Sequence, residues 1–191
     1  MKTWICSTSL LLGRVRVLRI ALTTAAIVLL LLTAPVGKPR ADPVAATAVV
    51  LKVVDGDTID VRDDIRGRLR IRVLGIDTPE TKKPGYTVGC FGPEATAFAK
   101  ANLLGQQVAV QSDPTQDRTD RYGRMLAYLV RPDGWDYSVE IVRAGFALAY
   151  VYGGSPVERY PAIAAAQQEA QNAGRGLWGA PCYGNIESVP R

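Results

Sequence analysis

The segment RLRIRVLGIDTPET, residues 68–81, limits what this chain can fold into more than any other stretch. Leu69, Ile71 and Val73 alternate with Arg68, Arg70 and Arg72, the period-two pattern of a half-buried strand, expected over residues 68–76. The pattern breaks at Asp77, Thr78, Pro79 and Glu80. Proline ends regular pairing and holds the preceding residue extended. A strand that delivers an arginine thus feeds a stiff turn with two carboxylates three residues apart. Such a strand end can hold a cation against a negatively charged substrate. Taken alone, the same four residues also fit a polar loop with solvated acids.

The flanking residues predict a meander. Residues 47–54 form a β-branched run, Asp55, Gly56 and Asp57 turn it, and residues 58–61 return as a second strand. Residues 63–67 make the next turn. Short turns between three consecutive strands imply antiparallel neighbours. Downstream, Pro93 and Glu94 open a helix expected to reach about residue 104, with Ala95, Phe98, Ala99 and Leu103 on its apolar side. Strands follow at 107–111 and 125–130, separated by a long polar loop. A short helix at 137–144 ends at Gly145, residues 146–152 are extended, and an alanine-rich helix covers 161–173. Five strands interrupted by one helix and followed by others predict a small barrel of α+β class.

Charge does not point to a partner until the chain is divided. Of 23 Lys and Arg, six lie in residues 1–41, which hold no acid, so the remainder carries 17 bases against 18 acids, a net charge of −1. Bulk basicity therefore says nothing about nucleic acid, and any phosphate recognition rests on local arginines. Histidine is absent, and Cys6, Cys90 and Cys182 are far apart, which disfavours zinc. Arg14, Arg16 and Arg19 precede an uncharged run over 20–37, the layout of an export signal. Its core, 20–32, is short for a bilayer span of about 20 residues, although extension to Val36 allows an uncleaved anchor. Ala34 and the small residues at 44–46 offer cleavage points, and Pro39 and Pro43 mark a linker. The expected organisation is residues 1–41 as signal peptide or N-terminal membrane segment with linker, and 42–191 as the folded domain. The protein is expected outside the cytoplasm, secreted or periplasmic, or tethered by its N-terminal segment. Cys90 and Cys182 alone survive signal removal and would meet an oxidising compartment, so a disulfide is expected, against two unpaired buried thiols.

Three constellations carry chemistry. Asp57 and Asp77, each at a strand end, form an oxygen-only pair suited to calcium or magnesium, although D-G-D-T alone is a common hairpin turn. Arg118, Arg121 and Arg124 are spaced by three ahead of a strand, where a guanidinium fork can grip phosphate oxygens, or the run is a charged surface loop. Tyr150 and Tyr152 share one side of an extended segment, as a base platform or as edge-of-core packing. A further row, Arg66, Arg68 and Arg70, shares a face with Arg72 as either a cationic track or an ordinary solvated face.

Together, DGDT, R-x4-DTPET, GPEA, RTDRYGR followed by LAY, and AYVY resemble the staphylococcal (thermo)nuclease family. The likeness covers about residues 47–178 in order and at nearly the family's spacings, and the set is specific where each motif alone is weak. The resemblance implies a five-stranded OB-fold β-barrel with about three helices, and calcium-dependent hydrolysis of DNA and RNA by a monomer. It implies that Asp57 and Asp77 are calcium carboxylates, that Thr78 is a ligand through its carbonyl, and that Glu80 is the general base. Arg72 and Arg124 match the arginines on the scissile phosphate. Arg121 stands where the family usually has lysine near the terminal phosphate, with Tyr122 beside it, and Tyr150 and Tyr152 match tyrosines of the nucleotide pocket. The hairpin at 63–67 is longer than in the family, and Cys90 and Cys182 are absent from its simplest members. A non-catalytic OB-fold module binding single strands, or a membrane-tethered interaction domain, would not need Arg72, Glu80 and Arg124 together. These three are expected to serve rate and not folding, because the core requires none of them.

Overall fold

A computed structural model describes residues 44–191. The expected export segment, its linker and the Ala34 cleavage point lie outside the described residues. Strands β1 (Ala48–Val53), β2 (Thr58–Asp63) and β3 (Gly67–Val73) form the expected antiparallel meander. Next come β4 (Ile76–Asp77), α1 (Gly92–Leu103), β5 (Gln107–Gln111), β6 (Met125–Val130), α2 (Tyr137–Arg143), β7 (Leu148–Ala149) and α3 (Tyr160–Asn172). A single 3-10 turn, Gly176–Trp178, follows α3.

Five of the strands close into a barrel in the order β1-β2-β3-β6-β5, with β3 and β6 parallel and β1 sealing against β5. Closure leaves the barrel no free edge. With three α-helices around it, this is the small α+β barrel expected from the strand count and the OB-fold that the resemblance implies. The alternation in β2 and β3 does what its period requires. Ile59, Val61, Ile71 and Val73 are buried inside, while Asp60, Arg62, Arg68, Arg70 and Arg72 share the outer face. Leu103 from α1, Leu129 from β6, Ile141 from α2 and Ile163 from α3 are fully buried in the same core. Burying each such side chain stabilises the fold by about 1.5–3 kcal/mol.

One expected element divides. The strand predicted over 68–76 stops at Val73, and Ile76 and Asp77 pair instead with Ala149 and Leu148 in a separate two-stranded sheet. Gly75 causes the break. Its φ is 75°, and a Cβ there would lie 2.5 Å from Ile163 Cδ1 and 2.9 Å from Val157 Cγ2. Only glycine allows both that conformation and that approach to α3. The extended stretch predicted at 146–152 is correspondingly reduced to β7 and an isolated bridge between Tyr152 and Ser155. The expected disulfide is present, joining Cys90 to Cys182, which are 92 positions apart in sequence, with their Cα atoms 5.8 Å apart.

Candidate active site

The kink at Gly75 builds the site. After leaving the barrel the chain returns Asp77 to the end of β3, where Arg72 Nη2 donates to Asp77 Oδ1 at 3.0 Å. Arg72 Nη1 donates to the carbonyls of Val73 and Ile76 at 3.0 and 2.9 Å, spanning the break. Ser138 Oγ donates to the Leu74 carbonyl at 2.9 Å and holds the kink from α2. The same guanidinium lies 3.4 Å from Asp57 Oδ2, so one arginine faces both carboxylates of the predicted pair.

Asp57 sits in the β1–β2 turn. Asp55 Oδ1 accepts from the N–H groups of Asp57 and Thr58 at 3.2 and 2.8 Å, which shapes the turn. Tyr137 donates its hydroxyl to the Gly56 carbonyl at 2.6 Å. A Cβ on Gly56 would lie 2.7 Å from Thr78 Cγ2, so this glycine permits the two turns to touch. Thr78 then donates both its N–H and its hydroxyl to Asp57 Oδ2, at 3.2 and 3.1 Å. Thr58 Oγ1 donates to Asp57 Oδ1 at 3.1 Å and accepts from Arg124 Nη1 at 3.2 Å. Thr58 therefore links the second arginine to the carboxylates. Asp120 fixes that arginine from behind, taking Arg124 Nε at 2.7 Å on one oxygen and the N–H groups of Arg124 and Tyr122 at 2.9 Å on the other.

Arg72 and Arg124 open onto a groove of about 450 Å³ that Arg121, Tyr122, Tyr150 and Tyr152 also line. Those three tyrosines are exposed. Arg121 donates to the Tyr122 hydroxyl at 2.7 Å and lies over its ring, 4.8 Å from the centroid. Glu80 stands apart from the arginine pair. It is exposed, and its Oε1 accepts from the N–H groups of Thr81 and Lys82, both at 2.8 Å.

The electrostatics favour a cation. Burial pushes the Asp77 carboxyl up to about 6, Arg72 opposes the rise, and the charges of Asp57, Glu80 and Asp55 add to it. Burial, then the neighbouring Asp57 charge, raises Asp55 as well. Among the described residues no three acidic, His or Cys side chains converge as a metal cage. The donor set instead fits a hard, oxygen-seeking cation held by few protein ligands, with Asp57 and Asp77 as the carboxylates and the Thr78 carbonyl as the third candidate. Asp55 and Thr58 of DGDT, Asp120 of RTDRYGR, and Tyr137 have no role assigned to them from the sequence. The D-x-D spacing of Asp55 and Asp57, and an acid four residues before Arg124, are the sequence signals that mark two of them.

A pH dependence follows for the metal-free protein. Because folding raises the Asp77 pKa from its usual 3.8, the protonated form favours the fold below about 4, and that advantage is lost as pH rises through about 6. In chelator, Asp77→Asn is expected to melt with the parent at pH 4 and above it at pH 7. A variant melting temperature that tracks the parent across this range would remove the burial argument.

The family model described as Staphylococcal nuclease homologue matches residues 70–180. The chain is 36% identical over 145 residues to a thermonuclease of Staphylococcus intermedius, covering 75% of this chain and 83% of that one. It is 37% identical over 133 residues to a thermonuclease of Staphylococcus hyicus, covering 69% and 75%. It is 39% identical over 132 residues to a protein described as an uncharacterized endonuclease of Escherichia coli O157:H7, covering 68% and 74%. A closed OB-type barrel, a family match over more than half of the chain and relatives of this extent place the chain in the staphylococcal nuclease family, as a hydrolase of nucleic-acid phosphodiester bonds.

Proposed function

We propose that the protein is a calcium-dependent nuclease cleaving both DNA and RNA. The observation that carries this reading is the placement, at the mouth of a tyrosine-lined groove, of Arg72 directly on the Asp57–Asp77 pair and of Arg124 one hydrogen bond away through Thr58. A phosphodiester is anionic, and hydrolysis concentrates further charge on its oxygens. Two planar guanidinium forks can each take two of those oxygens, and opposing developing charge is usually the largest catalytic contribution. Asp57, Asp77 and the Thr78 carbonyl would hold calcium, whose positive charge offsets the charge that builds on the phosphate.

Glu80 is the base in this reading. Its Oε1 is fixed by two N–H groups, and Oε2 makes no hydrogen bond among the described residues, which leaves it to take a proton from the attacking water. Arg121 and Tyr122 hold a phosphate at the groove end, and Tyr150 and Tyr152 stack the base. The protein acts as an exported monomer, a reading supported by the charge layout of residues 1–41 and by the Cys90–Cys182 bond.

Digestion of DNA and RNA tests this directly. A calcium-selective chelator is expected to abolish cleavage of both substrates, and millimolar calcium to restore it. Full activity in chelator would refute the metal assignment, and cleavage of only one polymer would refute the dual specificity.

A further inference from the structure

We propose that the outer face of β2 and β3 is a binding track for a single polynucleotide strand as it leaves the catalytic groove, built by Arg62, Arg68 and Arg70. This rests on the nuclease reading above and adds the length of substrate that the protein grips. The register pairs Thr58 with Arg72, Asp60 with Arg70 and Arg62 with Arg68. All six side chains belong to the face turned away from the barrel core, since the residues between them are the inward set. Arg72 and Arg124 line the groove, and Thr58, opposite Arg72 in the register, accepts from Arg124. The row is therefore continuous with the site, each step along the strand covering about 7 Å. That step is comparable to the distance between successive phosphates of an extended single strand.

The expected stripe is altered in one member. Arg66 folds back onto Asp63 in the turn, at 2.8 Å, and is neutralised there. Arg62, exposed on β2, takes its place on the face. One carboxylate opposes the three arginines. Asp60 accepts Arg70 Nε at 2.7 Å and Arg70 Nη2 at 3.1 Å, and Arg68 Nη2 at 3.3 Å. Its side chain is 3% exposed, whereas those of Arg68 and Arg70 are 68% and 52% exposed. The acid is thus buried beneath the guanidinium groups, orienting them, while their outer edges remain open to a phosphate. A solvated face needs no such support. The local excess of positive charge is also set against a net charge of −1 for residues 42–191, so the row is a local feature and not a sample of overall basicity.

The test is Arg62→Gln combined with Arg68→Gln, which leaves Arg70 to cover Asp60 and spares the fold an unpaired buried carboxylate. Cleavage of a long single-stranded oligonucleotide is compared with cleavage of a dinucleotide, and oligonucleotide Kd is read separately in chelator. For the long strand KM is expected to rise about ten-fold at low salt, and the slope of log Kd against log salt to fall by about 1.4, at about 0.7 per lost phosphate contact. The dinucleotide kinetics and the long-strand kcat are expected to stay unchanged. An unchanged KM, Kd and salt slope would overturn the track. Weaker binding to phosphatidylglycerol vesicles with oligonucleotide Kd unchanged would overturn it too, assigning the row to a lipid surface. Weaker oligonucleotide binding in the variant, with no cleavage by the parent in calcium, would support the track and sink the nuclease reading instead.

Discussion

Arg72→Lys and Arg124→Lys are expected to lower kcat by about 10²–10³ each, the scale of losing one preorganised donor to a developing oxyanion. An ammonium is a point charge and cannot hold two phosphate oxygens in one plane, so the loss falls on the transition state more than on substrate binding. Glu80→Gln keeps the size of the side chain and removes the proton acceptor, and is expected to cost about 10²–10⁴ in kcat. Stability separates the two arginines, which sequence reasoning treats alike. Arg72 donates to the Val73 and Ile76 carbonyls as well as to Asp77, so it fastens the kink that forms the site. Lysine cannot span these acceptors, and a buried group left unsatisfied costs about 1–3 kcal/mol. Among the described residues the Arg124 side chain bonds only to the Asp120 and Thr58 side chains, and that of Glu80 only to its own turn. A lower melting temperature is therefore expected for Arg72→Lys, and melting close to the parent for the other two. The measurement is kcat beside melting temperature for all three variants. A kcat within a few-fold of the parent, in chains that remain folded, would show that the active site lies elsewhere.

Sequence legibility follows from how local each determinant is. The faces of β2 and β3 could be read because a period of two is carried by neighbouring residues. The break at Gly75 could not, since Leu74 and Ile76 are apolar and continue the run. The contacts that require glycine come from Val157 and Ile163, more than 80 residues later. The motif residues Asp57, Asp77, Arg72 and Arg124 were legible through resemblance, and the barrel brings all four together. Their supports were not. Tyr137 and Ser138 read as the start of a short helix, and only the packing of α2 shows that they hold the Gly56 and Leu74 carbonyls. Glu80 was legible as an acid in a turn, but its direction depends on two N–H groups that no spacing rule specifies.

Replacing Cys90 and Cys182 by serine is expected to lower the melting temperature by about 10–15 °C, and to lower kcat beyond what unfolding explains. The first effect comes from the length of the closed loop. Releasing a bond between residues 92 apart frees the unfolded chain, worth about 4 kcal/mol in the chain-entropy account. For a domain of this size each kcal/mol moves the melting point by about 2–4 °C. The second effect comes from where the bond lies. Gly89, beside Cys90, donates its N–H to the Glu80 carbonyl at 2.7 Å. The C-terminal tail runs against this loop, with Thr87 N–H donating to the Val189 carbonyl and Arg191 N–H to the Gly85 carbonyl, both at 2.8 Å. A Cβ on Gly89 would lie 2.7 Å from the Ile186 carbonyl and 3.0 Å from the Glu80 nitrogen, so the tail, the loop and the Glu80 backbone are in close contact. The disulfide fastens the start of that tail. Without it the tail is held on the loop by backbone bonds at the exposed residues Gly85, Val189 and Arg191, which open at little cost and would loosen the cover over Gly89 and Glu80. The arginine pair, anchored in the barrel and the kink, is unaffected, so KM should change little while kcat falls. Assays well below the variant's melting point, with thiol titration of the unreduced parent, decide the matter. Two free thiols in the parent would show that the bond does not form. A variant with parental kcat would show that the tail stabilises the fold without positioning the base.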